Sequence, residues 1–86
     1  MPTICRFRGL VIRMHYDDHG PPHFHVHRGR RGCVVDVLRL RVIRGTLSPA
    51  DARDVLRWAA LRQRALLRSW RRAGAHLPLL PIAPLA

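Results

Sequence analysis

The sequence predicts a small α+β domain in which an antiparallel β-meander of about four strands packs against one long C-terminal helix. Three observations lead to this prediction: period-two alternation of apolar residues before residue 48, helical periodicity after it, and a length of only 86 residues. Single cores are rarely divided below about 100 to 150 residues, so we expect one domain over 1–86. Within it we place a meander over 1–47, a helix over 48–74 and a Pro/Leu-rich tail over 75–86.

The first extended segment runs from Thr3 to Tyr16. Leu10, Ile12 and Met14 alternate with polar or smaller residues, which is the pattern of a half-buried strand. Gly9 interrupts the pattern near its start. Because a glycine inside a strand usually marks a bulge or a tight bend, a separate short segment over 4–7 stays open.

A turn and three further strands follow. The run 17–22 contains Pro21 and Pro22, which remove two backbone donors, so a strand cannot continue through it. Pairing resumes over 23–28, where apolar and histidine side chains alternate and face opposite sides. A glycine-flanked loop over 29–32 leads to short strands over 33–37 and 41–45.

The helix begins at Ser48, whose side chain can cap the first turn, with Pro49 at the first helical position and Asp51 completing a capping box. Gly74 is a suitable end. At 100° per residue one face, within about 140°, is predicted to lie on the sheet. It consists of Ala52, Val55, Leu56, Ala59, Ala60, Leu66, Leu67 and Trp70, whereas Trp58 falls outside it.

The charge of the chain favours a polyanionic partner. Its net charge is +11, and all 16 basic residues are arginines. One helix face carries five arginines within about 60° of one another, and arginine binds phosphate well. This predicted nucleic-acid-binding stripe consists of Arg53, Arg57, Arg64, Arg68 and Arg71. An incidental solvated face is the alternative.

Other features limit the setting of the protein. Cys5 and Cys33 do not form a zinc or redox motif, and two cysteines do not make a secreted disulfide framework. No apolar run approaches the roughly 18 residues of a spanning helix, and no signal-peptide pattern is present, so we expect a cytoplasmic protein with no membrane contact. Prolines at every third position favour an extended tail that returns to its own domain or contacts another subunit.

The segment 17–27 concentrates the chemistry, with four of the six histidines. Side chains two apart on a strand emerge on one face about 6.6 to 7 Å apart, so two imidazoles can share one ion. A divalent-metal site, for an ion such as zinc, is therefore predicted at His23 and His25, completed by His19 or Asp17. His27 lies too far from the first histidine to join.

The same residues allow two other interpretations. His23 and His25 could act as a metal-free catalytic acid and base on a phosphodiester whose phosphate is held by arginines. Alternatively, the prolines set a rigid turn, and the histidines are polar residues on a strand whose other face packs.

A family resemblance adds to these hypotheses. A set of short motifs occurs along the chain: Met1-Pro2-Thr3-Ile4, Arg6-Phe7-x-Gly9, Val11-Ile12-x-Met14, Asp18-His19, Pro21-Pro22-His23-Phe24-His25-Val26, Gly45, Trp58-Ala59, Trp70 and the Pro/Leu-rich tail. In these motifs the chain resembles the bacterial family called domain of unknown function 4160. The resemblance implies a compact strand-rich domain with one long helix. Such genes often lie beside another short gene, as in toxin–antitoxin pairs, which implies a small protein partner. His27 and the arginine stripe depart from the family pattern.

Three functions follow as expectations. The first is a toxin–antitoxin-like component that binds or acts on nucleic acid through the histidine cluster. The second is a divalent-metal-binding protein that uses His19, His23 and His25. The third is a non-enzymatic interaction module, and a homodimer would suit so small a domain.

Overall fold

The computed structural model describes residues 2–86; Met1, where the resemblance begins, lies outside them. The α+β class is confirmed, but the sheet has five strands rather than four, and two helices replace the single long one. The elements are β1 Thr3–Phe7, β2 Leu10–Arg13, β3 His23–Arg28, β4 Arg31–Asp36, β5 Arg41–Gly45, α1 Pro49–Leu61 and α2 Gln63–Gly74. No helix within 2–86 is long and apolar enough to cross a membrane.

The additional strand arises at the turn that separates β1 from β2. Arg8 and Gly9 both have positive φ, at 51° and 79°, which suits a tight two-residue hairpin. The separate short segment over 4–7, one of the two possibilities for this stretch, is therefore confirmed as β1, which pairs antiparallel with β2. The hairpin between β3 and β4 is also shorter than predicted, since pairing extends to Arg28 and Arg31 and leaves only Gly29 and Arg30 in the turn.

The five strands form one antiparallel sheet in the order β1-β2-β3-β4-β5, with every strand beside its neighbour in sequence. Alternate residues of each strand point to one face, here called the inner face, and pack against the helices. Fully buried side chains from it include Ile12, Phe24, Val26 and Val35. The opposite side, the outer face, carries polar side chains such as Arg13 and His25, and α2 contacts it through Trp70, which lies against the ring of His23.

The predicted single helix over 48–74 is broken at Arg62, whose φ of −112° is not helical. Contacts across the chain hold this junction: Arg62 Nε donates to Ala83 O at 3.2 Å, and Gln63 Nε2 donates to Val37 O at 2.8 Å. Sequence periodicity contains no information on such contacts. The start was predicted correctly, because Ser48 Oγ accepts from Asp51 N at 3.1 Å.

Two residues of α1 differ from the predicted core face. Ala60 is exposed, whereas Trp58, which was placed outside that face, is completely buried. The tail covers Trp58, since the indole Nε1 donates to Ala83 O at 2.8 Å and Ile82 enters the core. The tail thus packs on its own domain, and Ile82 N also donates to Ile4 O at 2.7 Å.

Candidate metal centre

The register of the sheet assembles a row of side chains across the outer face. Arg13 of β2 lies opposite His25 of β3, His25 lies opposite Val34 of β4, and Val34 lies opposite Arg44 of β5. Directly opposed residues of antiparallel strands share a face, so these four side chains lie side by side. Arg13 therefore lies directly beside His25 in this row, and Arg44 lies on its other side beyond Val34.

His15 joins this row from the end of β2. It lies two residues beyond Arg13 and so leaves the chain on the same face. The connection from β2 to β3 then returns the chain sharply, with positive φ at Asp17 (56°) and Gly20 (87°). This turn brings Asp18 back over the histidines.

The rings of His15 and His25 stack face to face, with centroids 3.9 Å apart and planes inclined by 3°. The Nε2 atoms of both rings are buried and have no hydrogen-bond partner anywhere in residues 2–86. Asp18 Oδ2 lies 3.6 Å from His25 Nε2, which is beyond hydrogen-bond length. One donor atom from each of His15, Asp18 and His25 lies within 4.8 Å of the other two.

Charge states in the cluster favour cation binding. Burial lowers the pKa of His15 and of His25, and in His25 the neighbouring His15 lowers it further, so both rings are neutral at pH 7. Burial raises the pKa of Asp18, but the hydrogen bond and the charge of His23 outweigh it, and the net pKa is lowered. Two neutral imidazoles therefore face one ionised carboxylate.

His23 supports the cluster rather than opening onto it. Its Nδ1 lies 2.9 Å from Pro21 O and its Nε2 lies 2.8 Å from Asp18 Oδ2. A carbonyl and a carboxylate only accept, so His23 is the donor in each contact that it makes. The ring also contacts Trp70 of α2, at a centroid distance of 5.0 Å. Both ring nitrogens of His23 thus face oxygens of the turn that precedes β3.

The cluster lies in a cleft of about 330 Å³. One wall is the turn around His19 and Pro21, and the other contains both Ile43 and Arg44. A bulge in the pairing of β4 with β5 allows these two consecutive residues to line the same cleft. Two nitrogens and one carboxylate oxygen suit zinc and similar divalent ions, and three protein ligands leave a further position for a ligand from the cleft.

The structure does not bring the predicted site residues together in the predicted groups. His25 belongs to the cluster, His23 supports it, and His19 lines the cleft wall. Asp17 is exposed and pairs with the tail, its Oδ1 lying 2.8 Å from His76 Nε2. The five arginines of the helix stripe are all exposed, and the break at Arg62 divides them between α1 and α2.

Sequence reasoning missed His15 and Asp18 as partners of His25. Both were visible: His15 alternates with Val11 and Arg13 on one face, and the following turn requires β3 to run back beside β2. Combining the alternation of one strand with the return of the next would have placed His15 near His25. The proline-histidine pattern by itself contains no information on that neighbour.

The fold and site together define a small α+β domain with a His₂Asp cluster on the outer face of its sheet. The family model for Domain of unknown function (DUF4160) matches residues 9–71. The chain therefore belongs to this family, and the match contains every residue of the cluster, whereas β1 and the tail lie outside it. Neither the curated proteins nor the solved structures gave a match.

Proposed function

We propose that this protein binds one divalent transition-metal ion through His15, Asp18 and His25, with zinc the best fit. One observation carries the proposal: two imidazoles with buried, unpartnered Nε2 atoms lie beside an ionised carboxylate, and one donor atom of each of the three residues lies within 4.8 Å of the other two. Leaving a buried nitrogen without a partner costs about 1 to 3 kcal/mol, so two such atoms side by side require an explanation. A shared cation would satisfy both once the stacked rings turn out of their parallel arrangement, because a metal ion lies in the plane of each imidazole that binds it.

The donor spacing supports this assignment. Ligands bonded to zinc at about 2.0 to 2.1 Å in tetrahedral geometry lie roughly 3.3 Å apart. The observed 3.6 Å between His25 Nε2 and Asp18 Oδ2 is close to that spacing without an ion. Two charge-free rings and one carboxylate would leave a bound divalent ion with a net positive charge.

The residues around the ligands provide the orienting contacts that metal sites use. His23 donates to the carboxylate of Asp18, and the backbone N of His19 donates to its other oxygen at 3.1 Å. Such contacts fix a ligating carboxylate. A bound ion would supply Lewis-acid chemistry, and its open position would face the cleft. An enzyme that uses this ion would catalyse hydrolysis at this position.

Isothermal titration calorimetry with zinc tests the proposal. We expect one equivalent bound by the wild type and no saturable binding by His15→Ala or His25→Ala. His27→Ala is the matched control, since it removes a histidine from the same face of β3 and should leave binding unchanged. The predicted ligand set containing His19 and Asp17 is tested in parallel by His19→Ala and Asp17→Asn. Equal binding by wild type and His15→Ala would refute the proposed set.

Nucleic-acid binding is a second candidate function. It is favoured because few of the arginines are paired with acidic side chains. Only Arg8 and Arg28, of the sixteen arginines, form ion pairs with carboxylates within residues 2–86. The remaining positive charge is available to a polyanion. A toxin–antitoxin-like role with a small protein partner is a further hypothesis, as is the interaction module; co-purification from the native host with a protein of similar size would support either, and recovery of a lone monomer would count against both.

A further inference from the structure

The outer face of the sheet carries a second cationic surface, distinct from the helix stripe. Arg13 and Arg44 lie on opposite sides of His25 in one row, while His27 lies two residues along β3 on the same face. Neighbouring strands are about 4.8 Å apart, so the row from Arg13 to Arg44 spans roughly 14 Å. Its centre is the proposed metal centre.

Two adjoining clefts make this surface a continuous groove. The cleft of about 330 Å³ above the cluster shares His25, Val34 and Arg44 with a neighbouring cleft of about 350 Å³. The second cleft continues past His27 to Arg30 in the β3–β4 turn. We call this surface the outer groove and define it by His25, His27, Arg30, Val34 and Arg44.

The groove contains no anionic compensation except at the metal centre. Asp51 is bound to Arg28, Asp54 to Arg8, and Asp17 to His76. Asp36 Oδ1 accepts from the backbone N atoms of Leu38 and Arg39, both at 2.8 Å. Among residues 2–86, Asp18 is therefore the only acid that lines the two clefts, and a bound divalent ion would more than neutralise it.

We propose that the outer groove binds the sugar–phosphate backbone of a single-stranded nucleic acid, with one phosphodiester beside the metal ion. The inference rests on the proposed metal function for that last contact. Arginines at intervals along an open groove suit a repeating phosphate. No Phe, Tyr or Trp lines either cleft, so contacts would be to the backbone rather than to stacked bases. The recessed ligands favour a flexible strand over a rigid duplex.

Fluorescence anisotropy with a labelled single-stranded RNA of mixed sequence tests the groove, with a duplex of the same length in parallel. The groove variant is Arg30→Gln with Arg44→Gln. The matched control is Arg57→Gln with Arg64→Gln, which removes the same charge from the helix stripe. All four side chains are exposed, so folding should be unaffected. The RNA affinities of the two double variants are compared in the presence of a chelator, so the result does not depend on a bound metal ion.

We expect the groove variant to bind more weakly and to have a shallower salt dependence, by about 0.7 in the slope of log K against log salt for each arginine–phosphate pair that the substitutions remove. The stripe variant should resemble the wild type. Saturating zinc should tighten binding by the wild type but not by His25→Ala. Equal reductions of affinity in both double variants, a reduction in the stripe variant alone, or preference for the duplex would overturn the proposal.

Failure of the metal proposal gives a different pattern. A protein that takes up no zinc by calorimetry but has weakened RNA binding only in the groove variant would refute the metal centre and leave the backbone contact standing. A protein that takes up zinc, with no change in RNA affinity, would refute the contact between phosphodiester and ion and leave the metal centre standing.

Discussion

The two faces of β3 differ completely in what they contribute, although their residues alternate along six positions. Phe24 and Val26 are fully buried on the inner face, and Phe24 meets the ring of Trp58 edge to face at 5.6 Å. His25 and His27 point the other way and remain partly accessible. A strand thus lets neighbouring residues serve stability and chemistry independently, because the side-chain period of two separates them.

The two faces of the sheet also differ in whether their buried polar atoms have hydrogen-bond partners. The buried inner-face side chains of Phe24 and Val26 are apolar and have no polar atoms that need a partner, and Arg28, further along the same face, is paired with Asp51 of α1. On the outer face, Arg13 Nε, His15 Nε2 and His25 Nε2 are buried without partners. Unpaired buried atoms in a folded domain mark places where stability is not the governing requirement.

The largest expected effect comes from the inner face. Phe24→Ala should destabilise the domain by about 3 to 5 kcal/mol, because it removes a fully buried aromatic side chain and leaves a cavity. That is much of the roughly 4 to 13 kcal/mol available to a domain of this size. Chemical denaturation monitored by circular dichroism measures it.

Substitution of the neighbouring outer-face residue, His25, is the control for Phe24→Ala. His25→Ala should alter the metal-free unfolding free energy by less than about 1 kcal/mol, because an unpaired polar atom is removed together with its side chain. A destabilisation as large as that of Phe24→Ala would show that the two faces are not independent.

An intermediate effect is expected when the hydrogen bond from His23 to Asp18 is removed. His23→Gln should weaken zinc binding about 10- to 100-fold, the usual range for a residue that orients a metal ligand, without abolishing it. Competition with a chromophoric chelator measures the change. His19→Gln is the matched control, since the contact from His19 to Asp18 uses the backbone N; a larger decrease in this control than in His23→Gln would favour His19 as a ligand.

The smallest effect is that of pH near neutrality. Burial lowers the pKa of His15 and of His25 from the ordinary value of about 6.5, so both rings are mostly neutral at pH 7 and above. Proton competition for their nitrogens therefore grows as pH falls below 7. Zinc affinity should change little between pH 8 and 7 and decrease at lower pH, and a steep decrease already between 8 and 7 would contradict the lowered pKa values.

The local features of the fold could be predicted from the sequence, whereas those that depend on distant contacts could not. The alternation of Phe24 and Val26 with histidines gave the orientation of β3, and Ser48-Pro49 gave the start of α1. The break at Arg62 and the burial of Trp58 depend on carbonyls of a tail more than 20 residues away. No helical periodicity contains that contact.

The candidate site was predictable in part for the same reason. His25 was found because His-x-His is a local pattern. Asp18 lies close to His25 because of the turn that joins β2 to β3. His15 required the register of two strands, in which Arg13 opposes His25. Register is fixed by turn geometry and burial rather than by the two histidines themselves.

The proposed roles of the histidines differ: His15 and His25 bind an ion through Nε2, while His23 only supports Asp18. Long-range proton–nitrogen correlation spectra of the histidine rings during a zinc titration distinguish these roles ring by ring. We predict that one equivalent of zinc shifts the Nε2 resonances of His15 and His25 strongly, those of His23 weakly, and those of His27 and His76 not at all. Strong shifts at His19 and His23, with His15 unchanged, would contradict the proposed ligand set.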